Sequence, residues 1–173
     1  MEGRGWCLLD SGTKVYVLAM TEYTVKSIGF VHSPRVEIDD DNWGNVVSRI
    51  VIDLSVLDPD ALIGLDTFSH IEVIYLFDQI SSEKALTGSR HPRGNPDWPK
   101  VGVLAQRAKF RVNRIGLTTC ELVTVGADFI EVRGLDAIHG TPVLDIKPHM
   151  KEFGPKGEVR EPHWVSELMS EYW

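Results

Sequence analysis

Residues 46–54 alternate in a way that suits one kind of backbone. Val46, Ser48, Ile50, Ile52 and Leu54 fall on one face of an extended chain, with Arg49 and Asp53 on the other. Successive strand side chains point to opposite sides, so a period of two marks a strand with one face in a core and one in solvent. Similar segments recur at 25–31, 101–105, 117–125 and 129–135, with a shorter one at 142–146. Residues 68–77 are mostly aromatic and β-branched and read as a central strand buried on both faces. Gly126-Ala127-Asp128 carries hairpin-turn chemistry between two of these strands.

Helical signal is scarce. Residues 59–64 read as a short helix, with Asp58 as cap, Pro59 at the first position and Gly64 as stop. Residues 162–172 read as a C-terminal helix, where Trp164, Leu168 and Tyr172 fall at i, i+4 and i+8 beside Val165 and Met169. That apolar stripe packs either on a partner or on the chain's own body. Many short strands and few helices predict a mainly antiparallel β-barrel or sandwich rather than a doubly wound fold. At 173 residues there is room for one well-buried core. A hydrophobic content of 43% excludes disorder for the bulk of the chain.

No apolar run approaches the roughly 20 residues of a membrane-spanning helix. The stretch 15–20 is apolar, but it is too short for a signal sequence and is flanked by Asp10 and Lys14. A cytoplasmic protein with no membrane partner is expected. Residues 1–24 read as an N-terminal extension, and Met20 offers an internal start that would make residues 1–19 an addition to the native chain. Cys7 and Cys120 lack Cys-x-x-Cys spacing and read as two reduced thiols.

The net charge of −7 hides an uneven distribution. Between Arg90 and Arg114 seven basic residues face Asp97 alone, a local charge of +6, and the rest of the chain carries −13. Arg90, Arg93, Lys109, Arg111 and Arg114 are candidate phosphate contacts for a nucleic acid. Alternatively, the basic residues pair with the acidic cluster Glu37, Asp39, Asp40 and Asp41. The connection over 81–100 is long for a compact domain, and such loops are usually functional. No Gly-x-Gly-x-x-Gly, P-loop or Gly-x-Ser-x-Gly motif occurs. His32, His70, His91, His139, His149 and His163 are scattered without the close pairings of a metal site, so no metal is expected. Cys120 sits mid-strand, where a packing thiol is expected rather than a nucleophile.

Four stretches occur in a fixed order. Ile28-Gly29-Phe30-Val31-His32-Ser33-Pro34 is followed by Phe68-Ser69-His70-Ile71 with Leu76-Phe77-Asp78-Gln79. Then come Val101-Gly102-Val103-Leu104-Ala105-Gln106-Arg107, leading to Phe110-Arg111-Val112-Asn113-Arg114-Ile115-Gly116-Leu117, and finally Leu135-Asp136-Ala137-Ile138-His139-Gly140-Thr141-Pro142. Over about residues 25–150 this set strongly resembles the YaeB-like family, whose characterised members are TrmO-type tRNA methyltransferases.

The resemblance implies a compact β-barrel domain over 25–150 and a tail with a helix over 151–173. It also implies a homodimer that binds S-adenosylmethionine and methylates N6 of threonylcarbamoyladenosine beside the tRNA anticodon. By motif, the cofactor-binding residues would be Arg107, Leu117, Asp136, Ala137, Ile138 and His139, with Asp78 and Gln79 as a further pair. Asp41, Asn42 and Trp43 stand where the family has an early cofactor loop. Asp136 or His139 would serve as base if the acceptor nitrogen must lose a proton. Two departures stand out. The family places prolines where this chain has Val112 and Arg114, and an Asp where it has His139. Its longer members carry a further RNA-binding domain. Other functions compatible with these residues are a non-catalytic S-adenosylmethionine- or ligand-binding module of the same fold, and a methyltransferase acting on a small molecule.

Overall fold

The computed structural model describes residues 6–8, 14–16 and 22–173. Residues 17–20 of the apolar N-terminal stretch and the Cys7 side chain lie outside what is described. Two short strands, β1 (Trp6–Leu8) and β2 (Lys14–Tyr16), pair antiparallel near the start of the chain. The main body contains β3 (Gly29–His32), β4 (Val47–Ile52) and β5 (His70–Leu76). The small strands β6 (Ser89–Arg90) and β7 (Val101–Gly102) follow, then β8 (Ile115–Val125), β9 (Phe129–Arg133) and β10 (Pro142–Pro148). Among the described residues a single α-helix, α1, spans His163–Leu168.

Six strands close into an antiparallel barrel in the order β10-β3-β4-β9-β8-β5, and closure removes the free edges that an open sheet would expose. Within the strands the alternation in the sequence maps onto inside and outside, whereas Leu54, expected on the inner face, lies in a turn past β4 and is exposed. Ser48, Ile50 and Ile52 of β4 are buried, as are Ile130 and Val132 of β9, while Arg49 and Glu131 meet on the outer surface at 2.7 Å. Each buried Val or Ile contributes about 1.5–3 kcal/mol on leaving water. Gly126 N–H donates to the Phe129 carbonyl at 2.8 Å and closes the expected β8–β9 hairpin.

Several expectations are corrected by the architecture, among them the helix over 162–172, which forms only over His163–Leu168 with turns beyond it. The segment 68–77 is not buried on both faces. Ile71, Val73 and Tyr75 point inward and are fully buried, whereas Glu72, Ile74 and Leu76 are half-buried, because a closed barrel has no second layer outside it. Residues 59–64 form successive turns rather than a helix, with Ala61 N–H to Asp58 O at 3.0 Å and Ile63 N–H to Asp60 O at 3.1 Å. A 3-10 turn, Leu65–Thr67, follows Gly64, since so short a segment cannot offset the cost of helix nucleation. The segment 101–105 contributes strand only at β7 and then tightens into a 3-10 turn, Val103–Ala105. The connection over 81–100 is ordered by the β6–β7 pairing and by the buried Pro92.

Gly116 governs how this end of the barrel packs. It faces Tyr75 across the β5–β8 ladder, and a Cβ there would stand 2.3 Å from the Tyr75 ring, so only glycine lets the ring lie across β8. Gly116→Ala is expected to destabilise the domain by about 1–3 kcal/mol through overpacking, read as a lower midpoint in denaturant unfolding. An unchanged midpoint would mean that the Tyr75 ring has room to move.

Candidate active site

Where the β5–β8 pairing ends, a cleft of about 700 Å³ opens between the barrel and its connections. Its walls come from the end of β5 (Tyr75, Phe77), the start of β8 (Ile115, Gly116, Leu117), the loop 103–114, Asp136 after β9, and Tyr172 beyond α1. The Asp136 carboxylate is part of its lining. Tyr75 Oη donates to Oδ1 at 2.6 Å, Thr118 Oγ1 donates to the same oxygen, and Tyr172 Oη donates to Oδ2. Leu135 and Ala137 on either side are buried, so the backbone carrying Asp136 is anchored in the core.

Burial, reinforced by the Asp136 charge, raises the Tyr75 and Tyr172 phenols well above the ordinary phenol range. Both therefore donate as neutral groups. Cys120, 1% exposed inside the barrel, has its thiol pushed up by burial and by the same carboxylate. It is a packing residue with no thiolate to offer.

The structure brings together some of the sequence candidates and separates others. Arg107 lines the cleft and donates through Nη2 to the Leu117 carbonyl, so these two motif residues and Asp136 share one site. Asp78 and Gln79 lie in the turn after β5 and do not line the cleft. Ala137 and Ile138 are buried as backbone anchors. His139 lies outside the cleft with its ring edge-to-face against His32, 5.1 Å between centroids. Asp41, Asn42 and Trp43 form a neighbouring loop fixed by Arg35. Arg35 donates to the Asp41 carbonyl at 2.7 Å, pairs with Asp39 at 2.7 Å and lies 4.2 Å over the Trp43 ring. Backbone hydrogen bonds from Asp40 and Asp41, with the Arg35 charge, hold the Asp39 carboxyl below the usual range.

The basic segment is largely spoken for. Arg93 forms a two-pronged pair with the Asp41 carboxylate at 2.7 and 2.9 Å, and Lys109 pairs with Asp40 at 2.6 Å. Arg111 donates to the carbonyls of Val103 and Gln106 at 3.0 and 2.8 Å, and Arg114 donates to the Ile80 carbonyl. Arg90 is half-buried with its guanidinium 5.5 Å over Phe110. The alternative reading of acid–base pairing across the chain describes Arg93 and Lys109.

The α1 stripe packs on its own chain. Trp164 lies 6.4 Å from Trp98, and Trp98 Nε1 donates to Glu167 at 2.6 Å. Sequence reasoning missed Tyr75, Thr118 and Arg35, and it gave Tyr172 only a packing role. Among the described residues, no three His, Cys, Asp or Glu side chains converge as a metal site, and no helix is long and apolar enough to cross a membrane.

Comparison with known proteins gives this geometry its context. Residues 34–154 match the model of the tRNA-methyltransferase O N-terminal domain. A probable S-adenosyl-L-methionine-binding protein of Methanothermobacter thermautotrophicus is 36% identical over 140 residues, spanning 79% of this chain and 96% of that one. The human tRNA (adenine(37)-N6)-methyltransferase is 39% identical over 102 residues, 59% of this chain and 23% of the human protein. Its Escherichia coli counterpart is 32% identical over 142 residues, 76% of this chain and 59% of that one. A crystal structure of TrmO superposes with a TM-score of 0.67 at 27% identity, over 82% of this chain and 64% of that one. The chain belongs to the tRNA-methyltransferase O N-terminal-domain family. It spans only 21–23% of the length of the mammalian relatives it matches.

The raised phenols give a pH prediction. Both keep their protons in the folded chain above about pH 10, where they ionise in the unfolded chain, so stability falls as pH rises through that range. Tyr172→Phe removes one such group. Its thermal midpoint is expected to fall less steeply than the wild type's between about pH 8 and about pH 11. Identical slopes would show that the Tyr172 phenol is not held against a carboxylate.

Proposed function

We propose that this protein is an S-adenosylmethionine-dependent methyltransferase acting on N6 of threonylcarbamoyladenosine beside the tRNA anticodon. One observation carries the reading: in a family barrel, a single carboxylate held by neutral hydroxyls stands in a cleft large enough for the cofactor. Pockets for such ligands run about 300–1,000 Å³. Asp136 and the rings of Tyr75, Phe77 and Tyr172 suit a sulfonium cation, and Arg107 suits the carboxylate of the methionine portion. Bound S-adenosylmethionine supplies an electrophilic methyl group.

The protein's own part is positioning and proton handling, so no covalent nucleophile is required. Of the two candidate bases, Asp136 is in the cleft and His139 is not. Asp136 Oδ1 already accepts from Tyr75 and Thr118, which leaves Oδ2 the less occupied oxygen to take the N6 proton. Asp78, Gln79 and the loop residues Asp41, Asn42 and Trp43 remain candidates for parts of the ligand beyond the cleft. Homodimerisation and a cytoplasmic location belong to the same reading.

For RNA, Arg90, Arg93 and Lys109 are the proposed phosphate contacts, while Arg111 and Arg114 hold the loop. Arg93 and Lys109 must exchange Asp41 and Asp40 for phosphate, so the acidic loop sets the threshold for binding. Asp40→Asn with Asp41→Asn is expected to raise tRNA affinity and steepen its decline with salt. Unchanged affinity and slope would remove these cations from the interface.

Calorimetric titration with S-adenosylmethionine is expected to show saturable binding that Arg107→Ala weakens about tenfold, the loss of one charge-assisted hydrogen bond. Asp136→Asn is expected to lower the rate of methyl transfer to undermodified tRNA by about 10²–10⁴-fold. Cofactor binding with no transfer to any tRNA would leave a binding module.

A further inference from the structure

We infer that Tyr172 is a positioning residue of the cofactor cleft, and that the segment 169–173 is part of the site rather than a tail packed beside it. The inference rests on the proposal that the cleft takes S-adenosylmethionine.

The docking of this segment is specified by several independent contacts. Trp98 holds α1 through Glu167. Beyond the helix, Asn42 N–H donates to the Glu171 carbonyl at 2.7 Å and Trp43 N–H to the Tyr172 carbonyl at 2.8 Å, so two consecutive backbone donors grip two consecutive acceptors. Asn42 adopts φ of 62°, in the left-handed region that Asn tolerates better than most residues. At Gly44 a Cβ would stand 2.5 Å from the Trp173 carbonyl carbon, so the close approach needs glycine.

What the segment delivers is one hydroxyl on one oxygen. Tyr75 and Thr118 both reach Asp136 Oδ1, and Tyr172 alone reaches Oδ2. Held at both oxygens, the carboxylate has a fixed plane. Every one of these donors is a neutral hydroxyl, and no Lys or Arg bonds to Asp136 among the described residues. An ammonium or guanidinium would fix the group equally well and cancel its charge. Neutral donors fix it and leave its charge without a directly bonded cation, although Arg107 shares the cleft, and an unpaired carboxylate is what a sulfonium needs. The cleft keeps its volume of about 700 Å³ with Tyr172 in place, so the residue is a wall and not a plug.

The test titrates the chain of residues 1–173 with S-adenosylmethionine and with S-adenosylhomocysteine, the demethylated product, which lacks the sulfonium charge. The chains compared are wild type, Tyr172→Phe, Asp136→Asn, the double variant and Gly44→Ala, each checked for a cooperative thermal transition. Tyr172→Phe keeps the ring and is expected to weaken S-adenosylmethionine about fivefold to tenfold while changing S-adenosylhomocysteine less. The double variant should bind no more weakly than Asp136→Asn alone, because the hydroxyl acts through that carboxylate. Gly44→Ala, which dislodges the segment, should reproduce the selective loss. Unchanged or tighter binding of S-adenosylmethionine by Tyr172→Phe overturns the inference, the latter showing a plug. Equal losses for the two ligands, or losses that add in the double variant, also overturn it, leaving a structural role only. A wild type that binds neither ligand overturns the cofactor reading itself, and this inference with it.

Discussion

A carboxylate at the end of a closed barrel must collect hydrogen-bond donors or turn out to water, and Asp136 collects three hydroxyls from three distant parts of the chain. Much of the local structure depends on that requirement. Tyr75 can reach the carboxylate because Gly116 opposite has no side chain, and Thr118 reaches it from two residues further along the same strand. Leu135 and Ala137 are buried and prevent the backbone from rotating the charge away. The same charge, added to burial, keeps the neighbouring phenols and the Cys120 thiol protonated. The site is thus a carboxylate in a wall of mixed polar and apolar residues, bonded by partners that carry no charge.

Electrostatics outside the cleft works on a different principle. Arg93 with Asp41 and Lys109 with Asp40 are partly exposed, and pairs of this kind are each worth about 0–1 kcal/mol. They add little to stability. Their effect is positional: they draw the loop 39–43 over the basic segment, while Arg35 holds that loop in shape from behind. Because each pair is weak, exchanging a carboxylate for a phosphate costs little, and an acidic protein can present cations to a polyanion without carrying a permanent basic face.

The barrel was legible in the sequence because most of its strands show one inward face as a period of two, while β5, with apolar residues on both sides, hid which face was outward. The turn at 126–128 was legible for the same local reason. The segment 59–64 was not, since cap and stop residues specify turns whether or not a helix forms between them. Within the site, ordered motifs pointed to Arg107, Leu117 and Asp136, which the fold unites. They could not reveal Tyr75 or Thr118, whose partner lies across the barrel and whose sequence surroundings are those of ordinary core strands. Tyr172 was visible only as one position of an apolar stripe. The charge pattern did offer the pairing of the basic segment with the acidic cluster, and Arg93 meets Asp41 52 residues away and Lys109 Asp40 69 residues away.

A closed barrel offers no crevice of the kind that opens at the strand ends of a parallel sheet, so a ligand site must be made from connections laid over its end. Such a site is only as rigid as those connections. Family members resembling this chain set prolines where it has Val112 and Arg114, and proline stiffens a loop by fixing φ near −65°. Here Arg114 adopts φ of 53°, a conformation closed to proline, so a proline could not stand at this position with the loop as it lies. Its rigidity comes from guanidinium groups instead. Arg111 clamps the carbonyls of Val103 and Gln106, Arg114 clamps that of Ile80, and the Arg114 carbonyl accepts from Phe77 N–H at 2.8 Å, tying the loop to the end of β5. Two arginines that composition alone would assign to phosphate are thereby committed to the frame of the cleft. Their loss should disturb the frame of the cleft first.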